Sequence, residues 1–367
     1  MSQNKKMTLE ELLLSTVTSN ASDLHIGADE IPALRVGGEI QRMSNVKLSA
    51  AEVKNLVDEL MTDEQRSNLH RDLSVDFSFS LQDKARFRCN IYMQSKGLSM
   101  ALRRIPARIF SLQELECPPV FEQIANLRRG LILVTGPTGS GKSTTLAAIL
   151  HHINMNRAEH IITIEDPIEY IHQPQKCIIN QREIGSHARS FASALRAALR
   201  EDPDVILVGE MRDLETISLA ITAAETGHLV LGTLHTNNCS ESVDRIVDAY
   251  PSEEQKQIRI MLSNSLQAVI SQTLCNKKNG KGRAALHEIM LVNPAIRNMI
   301  RESKSHQIYN VIDTSRAMGM QTMEVAIERA VQRSAISSLE ADIVRSRVGL
   351  QKKQRAPAKY EKGERRY

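Results

Sequence analysis

The stretch Gly136-Pro137-Thr138-Gly139-Ser140-Gly141-Lys142-Ser143 has the G-x-x-x-x-G-K-[ST] spacing of a phosphate-binding loop. The apolar run Leu131 to Val134 precedes it and indicates a buried strand, and the residues from Thr144 to Ile153 have a helical composition. In such a unit, glycines let successive backbone N–H groups converge on phosphate oxygens at the positive end of a helix. We therefore predict that these eight residues, together with Thr144, bind the phosphates of ATP.

Two side chains at the end of this loop have specific predicted tasks. Lys142 is expected to reach the β- and γ-phosphates, and the hydroxyl of Ser143 is expected to coordinate Mg²⁺. The sequence thus predicts both ATP and Mg²⁺ as cofactors. Hydrolysis of ATP to ADP and phosphate also requires acidic residues near the γ-phosphate, and two clusters supply them.

The first of these acidic sites is a single residue, Glu210. It follows the apolar run Val205 to Val208 and Gly209. Because the carboxyl ends of parallel strands line the ligand crevice of an open sheet, we expect Glu210 beside the loop. It is predicted to position or deprotonate the attacking water, or to hold Mg²⁺ through water. The alternative is a surface acid at the end of a strand.

The second cluster is the pair Glu165 and Asp166, which follows the apolar run Ile161 to Ile164. Pro167 prevents the strand from continuing. The two carboxylates are predicted to share the metal and water duties with Glu210. Acids are common after strands, so this prediction depends on the phosphate loop.

Two histidines flank the apolar strand around Leu229. His228 stands before it and His235 after it. Each is predicted to sense the γ-phosphate by donating hydrogen bonds to it or to the carboxylates, and a structural histidine is the alternative for both. The sequence has no H-E-x-x-H and no Cys/His metal spacing, so zinc is not expected.

Composition restricts the class of protein. The net charge is +4, but residues 351–367 carry seven Lys or Arg against two Glu, so the rest of the chain is nearly neutral. Aromatic residues make up 3% of the chain, which leaves few platforms on which bases could stack, so nucleic acid is not expected as a partner. No apolar run approaches the ~18 residues that a membrane helix requires, and the protein is predicted to be cytoplasmic.

The pattern along the chain predicts an α/β protein with two domains. Residues 1–105 indicate a mixed α/β domain, residues 106–119 a proline-containing linker, and residues 120–350 a parallel sheet covered by helices and followed by a helical segment. The basic tail, residues 351–367, is predicted to be disordered, and peripheral contact with an acidic membrane surface is an alternative role for it.

With these residues in place, the chain resembles the secretion and type IV pilus ATPase superfamily. The loop matches that family's Walker A, and four other stretches match its Asp box, its Walker B, its His box and the opening of its PAS-like domain: Ile164–Glu169, Leu207–Asp213, Thr226–Thr236 and Ala21–His25. Ala295–Glu302 resembles the A-I-R-N-L-I-R-E segment of the pilus retraction ATPases, with Met299 for Leu. The resemblance extends from residue 8 to about 345.

The resemblance implies a PAS-like N-terminal domain, a RecA-like ATPase domain and a homohexamer with nucleotide at the subunit interfaces. It implies a motor that drives pilus retraction and twitching motility at the cytoplasmic face of the inner membrane. The implied partners are the inner-membrane platform protein and an accessory retraction ATPase. It also makes four arginines candidates for contacting a neighbouring subunit's nucleotide: Arg86, Arg88, Arg103 and Arg104.

Besides a nucleotide-gated binding module without turnover, two other functions remain open from the sequence. A pilus-assembly or type II secretion ATPase of the same superfamily is the first, although such proteins typically carry a four-cysteine zinc module and an extra N-terminal domain. A RecA-like nucleic-acid translocase is the second, and the near-neutral body of the chain weighs against it.

Overall fold

A computed structural model describes residues 8–82, 84–105, 108–280 and 282–350. The chain divides into two compact units, one of residues 1–111 and 147–209 and the other of residues 112–146 and 210–367. The predicted disordered tail, 351–367, lies outside the described residues, so its disorder stays a prediction. The predicted division at residues 106–119 likewise stays a prediction.

The described residues between 8 and 105 form a six-stranded antiparallel sheet with three helices. Its strands follow the order β3-β2-β1-β6-β5-β4. The elements are α1 (Leu9–Thr18), β1 (Asp23–Gly27), β2 (Ala33–Val36), β3 (Glu39–Arg42), α2 (Ala50–Leu60), α3 (Asp63–Asp72), β4 (Ser74–Leu81), β5 (Ala85–Gln94) and β6 (Gly97–Ile105).

Local sequence explains why these helices begin where they do. Thr8, Ser49 and Thr62 each accept a hydrogen bond from the third residue of the following helix, whose side chain binds back to the cap. Alternation of apolar and polar residues explains β4 and β5, in which Phe77 and Phe87 are buried. Helix α3 was not predicted, because Leu69 is its one buried residue and its apolar periodicity is therefore weak.

The later elements supply the predicted strands and helices and several that were not predicted. They are α4 (Val120–Ala125), β7 (Gly130–Thr135), α5 (Lys142–Asn156), β8 (His160–Glu165), β9 (Ile178–Glu183), α6 (Phe191–Ala198), β10 (Val205–Val208), α7 (Leu214–Glu225), β11 (Leu229–Leu234), α8 (Cys239–Val247), α9 (Gln255–Ser265), β12 (Leu266–Asn276), β13 (Arg283–Leu291), α10 (Pro294–Arg301), α11 (Ile308–Thr314), α12 (Met323–Gln332) and α13 (Ser338–Arg347).

In the first unit, β10, β8 and β9 pair in that order and run parallel. In the second unit, the order is β13-β12-β7-β11, with β12, β7 and β11 parallel and β13 antiparallel to β12. The sheet is therefore not wholly parallel as predicted. Polar residues such as Ser271 and Gln272 interrupt the apolar run of β12, which is why the sequence did not indicate this strand.

The C-terminal segment is helical, as predicted, but more divided. Between Ser305 and Met318, α11 lies between two short 3₁₀ turns. Gly319 ends this segment with a φ of 89°, a left-handed conformation that glycine adopts readily. Among the described residues, no helix is both long enough and apolar enough to cross a membrane.

Candidate nucleotide site

The phosphate loop connects β7 to α5 in a conformation that only glycine fits. Gly136, Gly139 and Gly141 have φ values of 141°, 78° and 88°. A Cβ atom at Gly136 would lie 2.2 Å from the backbone oxygen of Gln272. Backbone conformation therefore favours glycine at all three positions, and close packing against Gln272 of β12 adds to this at Gly136 and Gly141.

Gln272 of β12 contacts the phosphate loop, and the sequence did not indicate this role. Its side chain is 2% exposed; its Oε1 accepts a hydrogen bond from Thr145 Oγ1 at 2.6 Å, and its Nε2 donates to the backbone oxygen of Ser140 at 2.6 Å. One buried amide thus ties the loop to the first turns of α5 and fixes its shape. The signal in the sequence was a polar Ser-Gln pair within an apolar run.

Lys142 and Ser143 stand in the first turn of α5, where the backbone N–H groups of a helix favour anions. The ammonium of Lys142 donates to the backbone oxygens of Gly136 at 2.7 Å and Pro137 at 3.2 Å, so it lies across the loop. Ser143 and Thr144 are half-buried beside it. This arrangement places a cation and hydroxyl groups together at the start of the helix.

Glu210 reaches the same edge through contacts made by the end of β11. The N–H of Gly136 donates to the backbone oxygen of Leu234 at 3.3 Å, and the N–H of Met211 donates to that of Thr233 at 3.1 Å. His235, which directly follows β11, contacts Glu210, with 2.7 Å between its Nε2 and Oε1 of the glutamate. The phosphate loop, Glu210 and His235 therefore lie at the same end of this strand.

The surroundings of Glu210 keep it ionised. Burial raises the pKa of its carboxyl, but hydrogen bonds from Arg212 and His235 outweigh burial and hold the pKa below its ordinary value. Both contacts use Oε1. Arg212 is therefore an arginine of the same chain that contacts this carboxylate.

Glu165, at the end of β8, has the opposite electrostatics. Burial raises the pKa of its carboxyl to about 7, against the lowering effect of hydrogen bonds from Thr163 and Gln181. The Thr163 hydroxyl donates to Oε1 at 2.6 Å, and the Gln181 amide does so at 3.3 Å. Glu165 is thus a carboxyl group that titrates near neutral pH.

The charge of Asp166 acts on Arg88 of the N-terminal sheet. The pKa of Arg88 is raised first by its hydrogen bond to Asp76, and the charges of Asp166 and Glu169 add to this. Asp166 therefore contributes negative charge next to Arg88 on β5.

Each of the four candidate trans arginines is engaged within its own chain. Arg86 pairs with the buried Glu183 at 2.9 Å. The other three bind acceptors in the N-terminal sheet and α1 region: Arg88 binds Asp76, Arg103 binds Asp23, and Arg104 binds Asn20 and the backbone oxygen of Val17.

The structure does not bring His228 to the phosphate loop. It precedes β11, at the opposite end of that strand from His235, and its backbone oxygen accepts a hydrogen bond from the N–H of Gly130 at 2.9 Å. Its Nδ1 lies 3.0 Å from the backbone oxygen of Ala223. Within one chain these contacts are those of the structural alternative, because β11 separates the ring from the phosphate loop.

Comparisons with known proteins agree with these features. The family described as Type II/IV secretion system protein matches residues 2–277. The type IV pilus retraction ATPase PilT of Pseudomonas aeruginosa is 50% identical over 331 residues, covering 90% of this chain and 96% of that protein. A twitching motility protein of Neisseria gonorrhoeae is 54% identical over 306 residues, covering 83% of this chain and 82% of that protein.

A solved structure extends the likeness to three dimensions. A crystal structure of the pilus retraction motor PilT with bound ADP superposes with a TM-score of 0.86 at 44% identity, covering 92% of this chain and 96% of that one. The expected α/β architecture, with a RecA-like ATPase fold, agrees with this match. The chain belongs to the type II/IV secretion system protein family, in which PilT is among its relatives.

Proposed function

We propose that this chain is the subunit of a homohexameric, Mg-dependent ATPase that powers retraction of type IV pili and twitching motility. The observation that carries the proposal is the ionised Glu210, held by His235 at the end of β11 where the phosphate loop begins. The likeness to proteins named for pilus retraction supports the assignment of the mechanical task.

The proposed chemistry follows from the charges at this edge. The loop amides and Lys142 bind the phosphates. Glu210 accepts a hydrogen bond from the attacking water, because its lowered pKa keeps the carboxylate ionised at neutral pH. A carboxylate with a low pKa is a weak proton acceptor, so its main task is to orient the water. Attack on the γ-phosphorus breaks its bond to the bridging oxygen, and ADP leaves.

The residues at the edge also fit Mg²⁺. Ser143 supplies a hydroxyl oxygen and Glu210 an ionised carboxylate, and Mg²⁺ prefers oxygen donors of this kind, often through water. When bound, Mg²⁺ supplies neutralisation of the charge on the β- and γ-phosphates. Glu165 and Asp166 are the remaining proposed acidic contributors.

Assembly in a ring adds the contacts that one chain lacks. Arg86, Arg88, Arg103 and Arg104 each bind an acceptor within their own chain. A guanidinium has five N–H donors, so one of these arginines can keep that acceptor and also contact a neighbour's γ-phosphate. The ring is proposed to work at the cytoplasmic face of the inner membrane with the platform protein, and with an accessory retraction ATPase. The exposed side of α10, which carries Asn298 and Arg301, is the proposed surface for such contacts.

A biochemical experiment tests the enzyme. Purified full-length protein is expected to form hexamers and to release phosphate from Mg-ATP, measured by light scattering and a phosphate assay. Lys142→Ala removes the cation that binds the β- and γ-phosphates and is expected to abolish ATP binding. The control Lys176→Ala changes an exposed lysine outside the phosphate loop and should bind ATP as the parent does. Assembled protein that neither binds ATP nor releases phosphate would refute the proposal.

A cellular experiment tests the direction of force. Deleting the gene from a piliated host should leave cells that bear pili but do not twitch, and the parent gene, but not Lys142→Ala, should restore movement. Cells without pili would instead indicate an assembly ATPase. Strong stimulation of turnover by DNA at physiological salt would indicate a nucleic-acid translocase.

A further inference from the structure

The side chain of Glu288 on β13 accepts hydrogen bonds from the N-termini of two helices. Its side chain is 4% exposed; Oε1 accepts a hydrogen bond from the N–H of Cys239 at 2.8 Å, and Oε2 accepts one from the N–H of Met323 at 3.3 Å. Cys239 is the first residue of α8 and Met323 the first of α12. One buried carboxylate therefore joins the positive ends of both helices.

Ser271, which lies beside Glu288 on the adjacent strand, contacts the segment that follows β11. We call His235–Asn238 the histidine loop, since it begins with the histidine that contacts Glu210. Ser271 on β12 is the cross-strand partner of Glu288, and its hydroxyl donates to the backbone oxygen of Asn237 at 2.8 Å. Ser271 thus holds the histidine loop at Asn237, and Glu288 binds Cys239, the residue that directly follows the loop.

This part of β12 also contacts the phosphate loop, because Gln272 follows Ser271 directly. Neighbouring residues of one strand therefore hold the loop that binds phosphate and the loop that contacts Glu210. Any displacement of the histidine loop acts on the N–H of Cys239, and through it on Glu288.

Helix α12, the second helix that Glu288 contacts, packs against α13, and the segment before it is hydrogen-bonded to β13. Met323 and Ile327 belong to a buried cluster with Ala341 and Val344 of α13. The N–H of Ile289 donates to the backbone oxygen of Gln321 at 2.8 Å, just before α12. A shift at the start of α12 is therefore passed to a packed pair of helices.

We propose that Glu288 is a positioning residue that couples the histidine loop to α12 and α13, so that the nucleotide state reaches the C-terminal helices. The inference rests on the proposed function, because it requires the histidine loop to respond to the γ-phosphate. The carboxylate serves both helices with separate oxygens. If the first residue of α8 moves and the carboxylate moves with it, the carboxylate either loses its hydrogen bond to α12 or displaces the start of α12 as well.

The test compares amide hydrogen exchange in the assembled full-length protein with Mg-ADP and with a non-hydrolysable Mg-ATP analogue. In the parent, exchange at the first turn of α12 is expected to differ by about fivefold or more between the two states. Glu288→Gln has one acceptor oxygen and can serve one helix, so this ratio should fall below about twofold while both nucleotides still bind. The ratio at the first turn of α8 should persist.

Glu324→Gln is the matched control, since Glu324 lies next to Met323 and pairs with Arg345 of α13 at 2.7 Å. Its loss should speed exchange of α12 in both nucleotide states and leave their ratio unchanged. The same behaviour in Glu288→Gln would mean a merely structural role and would overturn the inference. If Glu288→Gln does not assemble, Glu288→Asp replaces it, because the shorter side chain reaches at most one of the two N–H groups, and a parental ratio in that variant would also overturn the inference.

The outcome separates this inference from the proposed function. A parent that neither binds nor hydrolyses ATP contradicts the proposed function. A parent that hydrolyses ATP but shows the same exchange at α12 in both states contradicts only the coupling through Glu288.

Discussion

The ends of β8 and β10 carry the same sequence pattern and have opposite electrostatics. Each is a buried apolar strand followed by an acid, Glu165 in one case and Glu210 in the other. Burial raises the pKa of Glu165 to about 7 because its neutral donors, Thr163 and Gln181, offset burial only in part. Hydrogen bonds from Arg212 and His235 outweigh burial at Glu210, and its pKa falls. The pattern places an acid at a strand end, and its neighbours decide whether that acid carries charge.

This difference suggests a division of labour. An ionised carboxylate at neutral pH suits the orientation of water, which is the role proposed for Glu210. A carboxyl with a pKa near the working pH suits proton transfer. Glu165 meets that requirement, although its Oε1 is already bound by Thr163 and Gln181.

The largest expected effect comes from neutralising the charged member of the pair. Glu210→Gln should lower turnover by about 10²- to 10⁴-fold, because the amide does not supply the anion that orients the water. ATP affinity should stay within a few-fold of the parent, since Lys142 and the loop amides remain. Steady-state phosphate release and equilibrium binding measure the two effects. Undiminished turnover would break the comparison and transfer the role of base to Glu165.

The next effect concerns Glu165 and the stability of the folded protein. The pKa of Glu165 in the folded chain lies above the ordinary value of 4.5, so its contribution to stability is complete below pH 4.5 and is lost as the pH rises through about 7. Glu165→Gln removes this loss and should gain up to ~3 kcal/mol relative to the parent by pH 8. Denaturant unfolding of the nucleotide-free protein from pH 4.5 to 8 measures it.

An exposed acid provides the control for that measurement. Glu253→Gln changes the same functional group on the surface, and its stability difference from the parent should not rise over this pH range. A difference that is constant with pH in Glu165→Gln would mean that burial does not raise the pKa of Glu165.

The smallest effect separates the two donors that lower the pKa of Glu210. His235→Ala removes a donor whose side chain is 44% exposed, and should lower turnover by roughly tenfold or less at neutral pH, because one hydrogen bond contributes about 1 kcal/mol. The acid limb of the pH–rate profile should move to higher pH as the pKa of Glu210 rises. Arg212→Ala should do less, since its side chain is 76% exposed and screened by salt. A larger effect for Arg212 would reverse this ranking.

The sequence predicted local features well wherever neighbouring residues alone decide them. The phosphate loop, the buried strands before Glu165 and Glu210, the capping box at Thr8 and the helix Ala50–Leu60 all follow from short patterns of glycine, apolar and capping residues. Features that depend on distant pairing were missed. Strand β12 and the buried amide of Gln272 acquire their meaning only when β12 lies beside β7.

The amino-acid sequence by itself determined that this chain has a glycine loop for phosphate, acids at strand ends and a family likeness, because such patterns are written within a few residues of one another. Only the tertiary structure decided which charges those acids carry, that His235 rather than His228 meets Glu210, and that Glu288 joins α8 to α12. Those properties depend on burial and on contacts between residues far apart in the chain, which no local pattern encodes.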